Sequence, residues 1–235
     1  MNFDINDFIK TNNPVCREER QYAAFLYSMF LNVMNNKGGK EEIKIVSDII
    51  KNYDSIVHVF FEVSIMRDYF YALSVNEKTE FNKALLISRG ITSDDIDVIP
   101  DSLGSPSKDW REKQNSLPRD KSSELQYARY MMRAKPDLMV LFTRGERKYV
   151  RIIECKYTQE EGRYKDCDGR LKIKQKEVQA SIIAFLFGEN GILKFDGETV
   201  LYEGDGVTEV DFEKKNDNGG EYVPKDKLIT LVYKK

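Results

Sequence analysis

Two carboxylates and one lysine occupy positions in this chain where their side chains could act together. Asp137 begins an apolar run at 137–143, and Glu154 and Lys156 lie near the end of a second apolar run at 148–158. Carboxylates bind metal ions and exchange protons, and an ammonium group stabilises negative charge. The three groups can cooperate only if the chain brings the two runs side by side.

The residues between the two runs predict that arrangement. Arg144-Gly145-Glu146-Arg147 is a hairpin signal between strand-like segments. A four-residue loop there places Asp137 opposite Glu154 in an antiparallel ladder, where facing Cβ atoms are roughly 4.5–5.5 Å apart. Lys156 shares the face of Glu154, because side chains alternate along a strand. We therefore expect both carboxylates and the ammonium at the open end of one hairpin.

This trio predicts metal-assisted hydrolysis of a phosphate ester. Carboxylates that lie this close repel each other, which raises a pKa unless a cation sits between them. Mg²⁺ takes oxygen ligands, typically one or two carboxylates together with water and phosphate oxygens. The ion lowers the pKa of a bound water and neutralises charge in the transition state. A lysine beside it can orient or deprotonate the attacking water, or stabilise the developing charge.

The histidine and cysteine content excludes several other chemistries. His58 is the only histidine, and it lies in the apolar stretch VHVFFEV. A zinc site with mixed ligands is therefore not expected, and a serine or cysteine triad would need His58 as its base. A partly buried, hydrogen-bonded imidazole is the simpler interpretation of His58. Cys16, Cys155 and Cys167 are odd in number and lack metal-ligand spacing, which suits a reducing cytoplasm.

Composition indicates an ordinary globular chain of one domain. The 235 residues are 41% hydrophobic and 32% charged, and no apolar run reaches the roughly eighteen residues that cross a bilayer. The acidic, polar start MNFDINDFIK is unlike a secretory signal, so we expect a cytoplasmic protein without a membrane partner. With a net charge of −2 and a pI of about 5.7, any nucleic-acid surface must be local or completed by bound metal.

Hydrophobic periodicity predicts helices and strands in both halves of the chain. Helices are predicted at about 17–34, 40–52, 76–89, 122–134 and 173–187. Further strands are predicted at 192–195, 198–202 and 227–234, with polar loops at 100–121 and 211–224. The stretch 54–73 is ambiguous: it alternates like a strand but also keeps a helical phase for five turns, and its length favours a helix.

These elements predict an α/β fold with a mixed central sheet flanked by helices. Both faces of the hairpin are largely apolar, so helices should cover both. The helical N-terminal part, about 1–121, is expected to be an elaboration of the motif-bearing core, about 122–235, within one domain.

The motif Pro136-Asp137 followed by Glu154-Cys155-Lys156 resembles that of the PD-(D/E)XK nuclease superfamily, which has the restriction-endonuclease-like fold. The resemblance implies Mg²⁺-dependent phosphodiester hydrolysis of DNA, with Mn²⁺ as a substitute ion. It implies that Asp137, Glu154 and the main-chain carbonyl of Cys155 hold the metal. Lys156 would be the catalytic lysine.

The resemblance also implies a glutamate on the first core helix and polar residues, often glutamine, on the helix after the motif. Glu19 is the first choice for the glutamate, Glu124 the second and Glu62 the third. Gln175 and Gln179 stand one turn apart on the later helix. We expect Gln175 to take part in catalysis and Gln179 to contact the substrate, although solvated positions on that helix are an equal alternative.

A basic segment directly after the motif could bind DNA. Arg170, Lys172 and Lys174 are the expected phosphate contacts. Asp166 and Asp168 are interleaved with the basic residues, so a solvated loop is nearly as good an interpretation. A homodimer or a partner protein is also compatible with the sequence.

Two other functions are compatible with the same residues. Asp137 could cap the strand while Lys156 forms an exposed ion pair, which would contribute little to stability. The chain would then be a binding module for nucleic acid or protein that keeps the fold without turnover. A third hypothesis is a subunit that is inert alone and docks through its helical first half.

Overall fold

We describe a computed structural model of the chain. The described residues are 15–92, 95, 103, 108, 112, 115–156, 163–165 and 171–211. For 15–21, 163–165, 171–172 and 211, the description covers the backbone alone. Predicted features that fall elsewhere lie outside the described residues, among them most of the loop at 100–121 and the strand at 227–234.

Six helices and eight strands are described. The helices are α1 Val15–Met34, α2 Lys40–Ile49, α3 Ile65–Ala72, α4 Val75–Ser88, α5 Arg119–Arg133 and α6 Gln175–Leu186. The strands are β1 Ser55–Phe61, β2 Leu138–Arg144, β3 Arg147–Lys156, β4 Arg163–Lys165, β5 Leu171–Lys174, β6 Lys194–Phe195, β7 Glu198–Leu201 and β8 Val207–Asp211. The described helices are all too short or too polar to span a membrane.

Strand β3 organises a mixed sheet of six strands. On one side it pairs antiparallel with β2, which pairs antiparallel with β1. On its other side β7 pairs parallel with the start of β3, and β8 pairs parallel with 152–156. Strand β6 forms a hairpin with β7, while β4 and β5 form a separate two-stranded sheet. The segment from β3 through α6 to β7 is thus a parallel crossover, which places α6 on one face of the sheet.

Helices cover both faces of the sheet, as the apolar faces of the hairpin predict. Met139 and Ile152 belong to a buried core formed with α3, α4, α5 and α6. Leu138 and Ile153, which point the opposite way, belong to a second core formed with α1 and α2. The mixed α/β architecture with a sheet between helices is therefore confirmed. By alternation, Glu154 lies on the same face as Ile152, beneath α6.

The helix expected over 54–73 is wrong. The stretch is a strand, β1, followed by the short helix α3, with a break at Glu62, whose φ is +47°. Helices cover both faces of the sheet, so both faces of β1 carry apolar side chains. In the sequence, apolar residues on both faces of a strand give a spacing that resembles the helical period. Backbone pairing with β2 decides the structure. The N-terminal part thus contributes a strand to the sheet, and the division of the chain near residue 121 stays a prediction.

Two further details differ from expectation. The hairpin ladder extends to a pair between Arg144 and Arg147, so the turn has two residues and Gly145 adopts a φ of +58°. The register remains the predicted one, with Leu138 paired with Ile153. Strand β8 was not predicted, because it is short and is paired with β3 over a long sequence separation.

Candidate active site

The open end of the β2–β3 hairpin brings Asp137 next to Glu154. The ladder ends at the pair Leu138–Ile153, and one further step places Asp137 opposite Glu154. The amide of Glu62 donates to the carbonyl of Asp137 at 2.9 Å, so the backbone of Asp137 points toward β1. Asp137 and Glu154 therefore face each other as a non-hydrogen-bonded pair, the arrangement in which opposed side chains lie closest.

The carboxylate of Asp137 reaches across the end of the ladder. Its Oδ2 accepts a hydrogen bond from the amide of Cys155 at 2.7 Å. The amide of Ile152 points the other way and donates to the carbonyl of Gly206 at 2.9 Å. Because the amide and carbonyl of one residue in an antiparallel strand point to the same side, the Cys155 carbonyl lies on the side of Asp137. Two carboxylates and one carbonyl thus border the same space.

Glu154 is buried, and both of its oxygens have partners. Only 3% of the residue is exposed. Its Oε1 accepts from Gln179 Nε2, and its Oε2 accepts from Gln175 Nε2 at 2.9 Å. The ammonium of Lys156 lies 3.5 Å from Oε2 and 3.4 Å from Gln175 Oε1. Lys156, Glu154 and Gln175 therefore form a closed ring of contacts.

The surroundings of Glu154 perturb its pKa. Burial, followed by the neighbouring Asp137 carboxylate, raises the pKa of Glu154 from its ordinary 4.5 to about 7. The Lys156 ammonium and the hydrogen bond from Gln179 act in the opposite direction but do not cancel this effect. Two carboxylates thus face each other in a place with little water, and among the described residues Lys156 is the ammonium next to Glu154. Such perturbed groups are typical of sites that bind cations or perform chemistry.

Helix α6 supplies both glutamines. Gln175 is its first residue and Gln179 follows one turn later, so the two side chains reach Glu154 from the same helix face. Gln179 has no exposed surface, and its Oε1 is buried without a hydrogen-bond partner among the described residues. The structure thus places Gln179 against Glu154 rather than at the surface, and any effect on a substrate would pass through Glu154.

The donor set fits a hard divalent cation. Asp137, Glu154 and the carbonyl of Cys155 offer oxygen atoms only, which are the ligands Mg²⁺ prefers. Within the described part of the chain, no three His, Cys, Asp or Glu side chains come together as a metal-binding group. A bound Mg²⁺ would therefore take its remaining ligands from water or phosphate oxygens, as is common for this ion.

The three candidates for an additional glutamate have different positions. Glu19 lies on α1, but its side chain is outside the described residues. Glu124 on α5 is paired with Arg89, whose Nε lies 2.7 Å from its carboxylate. Glu62 follows β1 directly and is hydrogen-bonded to Asp137 through its backbone. Glu62 is therefore the candidate with a described side chain that adjoins the site.

The expected phosphate contacts are only partly described. Arg170 lies outside the described residues, and Lys172 is described only as backbone in β5. Lys174 is exposed and directly precedes α6, two residues before Lys176. Lys176 forms an ion pair with Asp205 at 3.1 Å. Of the three expected phosphate contacts, Lys174 is thus the one whose side chain the structure describes, and it directly precedes Gln175.

Strand β8 adds acidic positions that sequence reasoning missed. Its register pairs Glu209 with Glu154 and Asp211 with Lys156. Residues paired in this way lie on the same face of a sheet, and the Glu209 side chain is exposed. The alternation in Val207–Asp211 is a strand signal, but it is too short to reveal a parallel partner.

Comparisons with known proteins do not identify a family for this chain. No protein-family model, no curated protein and no solved structure matches the chain. The resemblance to the PD-(D/E)XK superfamily therefore depends on the motif residues and their arrangement alone.

Proposed function

We propose that this chain is a Mg²⁺-dependent nuclease of the PD-(D/E)XK type that hydrolyses phosphodiester bonds in DNA. The observation that carries the proposal is the buried Glu154 carboxylate, which faces Asp137 and has Lys156 as its one ammonium partner among the described residues. Like charges held together without water are costly, and a divalent cation offsets that cost. The sheet between helices is compatible with the restriction-endonuclease-like fold.

The residues of the candidate site have different roles in this proposal. Asp137, Glu154 and the Cys155 carbonyl would hold the cation. Bound Mg²⁺, or Mn²⁺ in its place, would lower the pKa of a water and neutralise charge on the phosphate. Lys156 donates hydrogen bonds from the edge of the site, where it can orient that water or stabilise the developing charge.

The two glutamines keep this arrangement in place. Gln175 donates to Glu154 and accepts from Lys156, so its amide sets the distance between carboxylate and ammonium. Gln179 donates to the other oxygen of Glu154 from the interior. Partners of this kind orient metal ligands and tune their charge.

DNA is the preferred substrate because of the motif rather than the overall charge. The net charge is −2, so attraction to a polyanion must come from the cation, Lys156 and nearby lysines such as Lys174.

A binding module that keeps the fold without turnover is the second candidate. The acidic composition favours it, as does the finding that no three His, Cys, Asp or Glu side chains of the described residues form a metal-binding group. Calorimetric titration with Mg²⁺ separates the two candidates. A module without a metal site would bind DNA or protein in the presence of a chelator and show no heat with Mg²⁺.

Cleavage assays test the proposal directly. Plasmid, linear duplex and single-stranded DNA, with RNA for comparison, are incubated with Mg²⁺ or with a chelator. We expect Mg²⁺-dependent cleavage of DNA that D137N and E154Q each reduce at least about a hundredfold, because each removes a charged ligand. E198Q removes a carboxylate at the other end of β3 and should leave cleavage intact. Equal cleavage by D137N, E154Q and wild type would contradict the proposal.

A further inference from the structure

Two short segments meet where the chain enters β2, and Glu62 belongs to one of them. We propose that Glu62 is a positioning residue, which fixes Asp137 at the candidate site by holding Lys135. The inference rests on the proposed function, because it assigns a role to Asp137 as a metal ligand. Glu62 itself touches neither cation nor substrate in this assignment.

Three contacts join the segments 62–64 and 134–137. The Glu62 amide donates to the carbonyl of Asp137 at 2.9 Å, and the Lys135 ammonium lies 2.6 Å from Glu62 Oε2. The hydroxyl of Ser64, which is 2% exposed, donates to the carbonyl of Ala134 at 3.3 Å. The end of β1 therefore holds the chain on both sides of Pro136.

The backbone of Asp137 depends on these contacts because it stands beyond the regular ladder, whereas its carboxylate accepts from the Cys155 amide. The last pair of the β2–β3 ladder is Leu138–Ile153, so the hairpin itself does not fix the Asp137 backbone. Pro136 is buried and has a restricted φ, so a constraint on Lys135 is transmitted to Asp137. A small shift there would move the carboxylate relative to Glu154.

The backbone of Glu62 gives an independent indication of function. Its φ is +47°, a left-handed conformation that is unfavourable for side chains other than Asn and Asp. The other described non-glycine residues with positive φ are Asn36, Asn52 and Asp196. Among the described residues, Glu62 is thus the one with positive φ that is not glycine, asparagine or aspartate. Local strain of this kind is found where a site requires it.

Stability alone does not explain the choice of glutamate. Glycine would adopt the same backbone without strain. The Glu62 side chain is 22% exposed and that of Lys135 is 44% exposed, and ion pairs of this exposure contribute little to stability. What glycine would lose is the carboxylate that reaches Lys135.

The decisive experiment compares E62G, K135M and the double variant with wild type. We expect E62G to melt at the same or a higher temperature than wild type, while its calorimetric affinity for Mg²⁺ and its kcat on DNA fall about tenfold. KM for DNA should stay within about twofold, because Glu62 does not touch the substrate. K135M should show the same loss, and the double variant should lose no more, because both changes break one contact.

N52G is the matched control. Asn52 has a φ of +57° and precedes β1, at the other end of the sheet. N52G should resemble E62G in melting temperature but keep wild-type Mg²⁺ affinity and kcat. The charge reversal E62K/K135E should recover most of the affinity that either single change removes.

Several results would overturn the inference. A lower melting temperature in E62G together with lower affinity would mean a purely structural role. Unchanged affinity and kcat would mean that the pair does not position Asp137, and a higher KM with unchanged kcat would mean that Glu62 contacts DNA. In these cases wild type still binds Mg²⁺ and cleaves DNA. If wild type does neither, the proposed function fails as well, so the two failures are distinguishable.

Discussion

Lys148 and Lys156 lie near opposite ends of β3, on the same face of the strand. Lys148 is next to two carboxylates, and Lys156 is next to Glu154, which in turn is next to Asp137. Lys148 lies 3.5 Å from Asp196 and 2.9 Å from Glu198, whose side chains are 75% and 61% exposed. Lys156 lies 3.5 Å from Glu154, whose side chain is 4% exposed. Both ends thus combine a lysine with carboxylates, but the exposure of those carboxylates differs.

Burial, rather than the types of charged group, distinguishes the two ends of β3. At the turn end, water solvates the two carboxylates, and the hydrogen bond to Glu198 raises the pKa of Lys148. At the open end, burial and Asp137 raise the pKa of Glu154, and the Lys156 ammonium does not cancel this effect. A lysine and two carboxylates in water are an ordinary surface feature. The same groups in a buried place favour the binding of a further cation. Variants at the two ends therefore form matched pairs.

The largest expected effect comes from K156M, with K148M as its counterpart. Loss of a group that assists proton transfer typically reduces the rate by about 10²- to 10⁴-fold, so we expect DNA cleavage by K156M to fall in that range. K148M should cleave like wild type. Calorimetry should show Mg²⁺ affinity of K156M equal to or tighter than that of wild type, because an opposing positive charge is gone. Equal losses of cleavage in both variants would contradict the distinction between the two ends.

The second prediction concerns the dependence of stability on pH in the absence of divalent ions. Folded wild type keeps a proton on Glu154 up to a pKa of about 7, whereas the unfolded chain releases it near 4.5. Its free energy of unfolding should therefore fall between about pH 4.5 and pH 7 relative to E154Q, by about 3 kcal/mol. Urea titrations at several pH values, with a chelator, measure this difference.

Two controls sharpen the pH prediction. E198Q should follow the pH profile of wild type, because Glu198 is solvated. Mg²⁺ at neutral pH should restore stability to wild type but not to E154Q, since binding to the folded state alone is stabilising. A difference between wild type and E154Q that does not vary with pH would mean that the pKa of Glu154 is not raised in the folded protein.

The open end of the hairpin is the part of the structure that local sequence rules predict well. The turn around Gly145 determines the register of the two apolar runs, and the register places Asp137 and Glu154 together. The 3.6-residue period likewise places Gln175 and Gln179 on one helix face. These relations depend on residues close in sequence, so no knowledge of the tertiary structure is needed.

The surroundings of the site depend on distant pairings and could not be predicted. Glu62 adjoins Asp137 only because β1 pairs with β2. The sequence did not predict β1, because apolar residues on both of its faces resemble a helical period. Glu209 adjoins Glu154 only through the parallel pairing of β8. The complete burial of Gln179 follows from the packing of α6 on the sheet, which a periodic pattern does not specify.

Gln179 provides the third prediction, an effect of intermediate size. Q179M keeps the approximate volume but removes the donor to Glu154 Oε1, so we expect Mg²⁺ affinity and cleavage to fall about tenfold. S181A on the same helix removes a half-buried hydroxyl that lies 2.9 Å from the Tyr127 hydroxyl. S181A should lose about 1 kcal/mol of stability and no activity. If S181A lost as much cleavage as Q179M, the effect would belong to α6 in general.

The smallest expected effect is that of E198Q, the counterpart of E154Q at the solvated end. Removing one exposed carboxylate next to Lys148 should shift the melting temperature by less than about 2 °C, because exposed ion pairs contribute little. The shift should vanish in 1 M salt, which screens such pairs, and DNA cleavage should match wild type. Scanning calorimetry at low and high salt, with a plasmid assay, measures both. A loss of cleavage as large as that of E154Q would mean that carboxylates matter beside either lysine of β3, and that burial does not distinguish the candidate site.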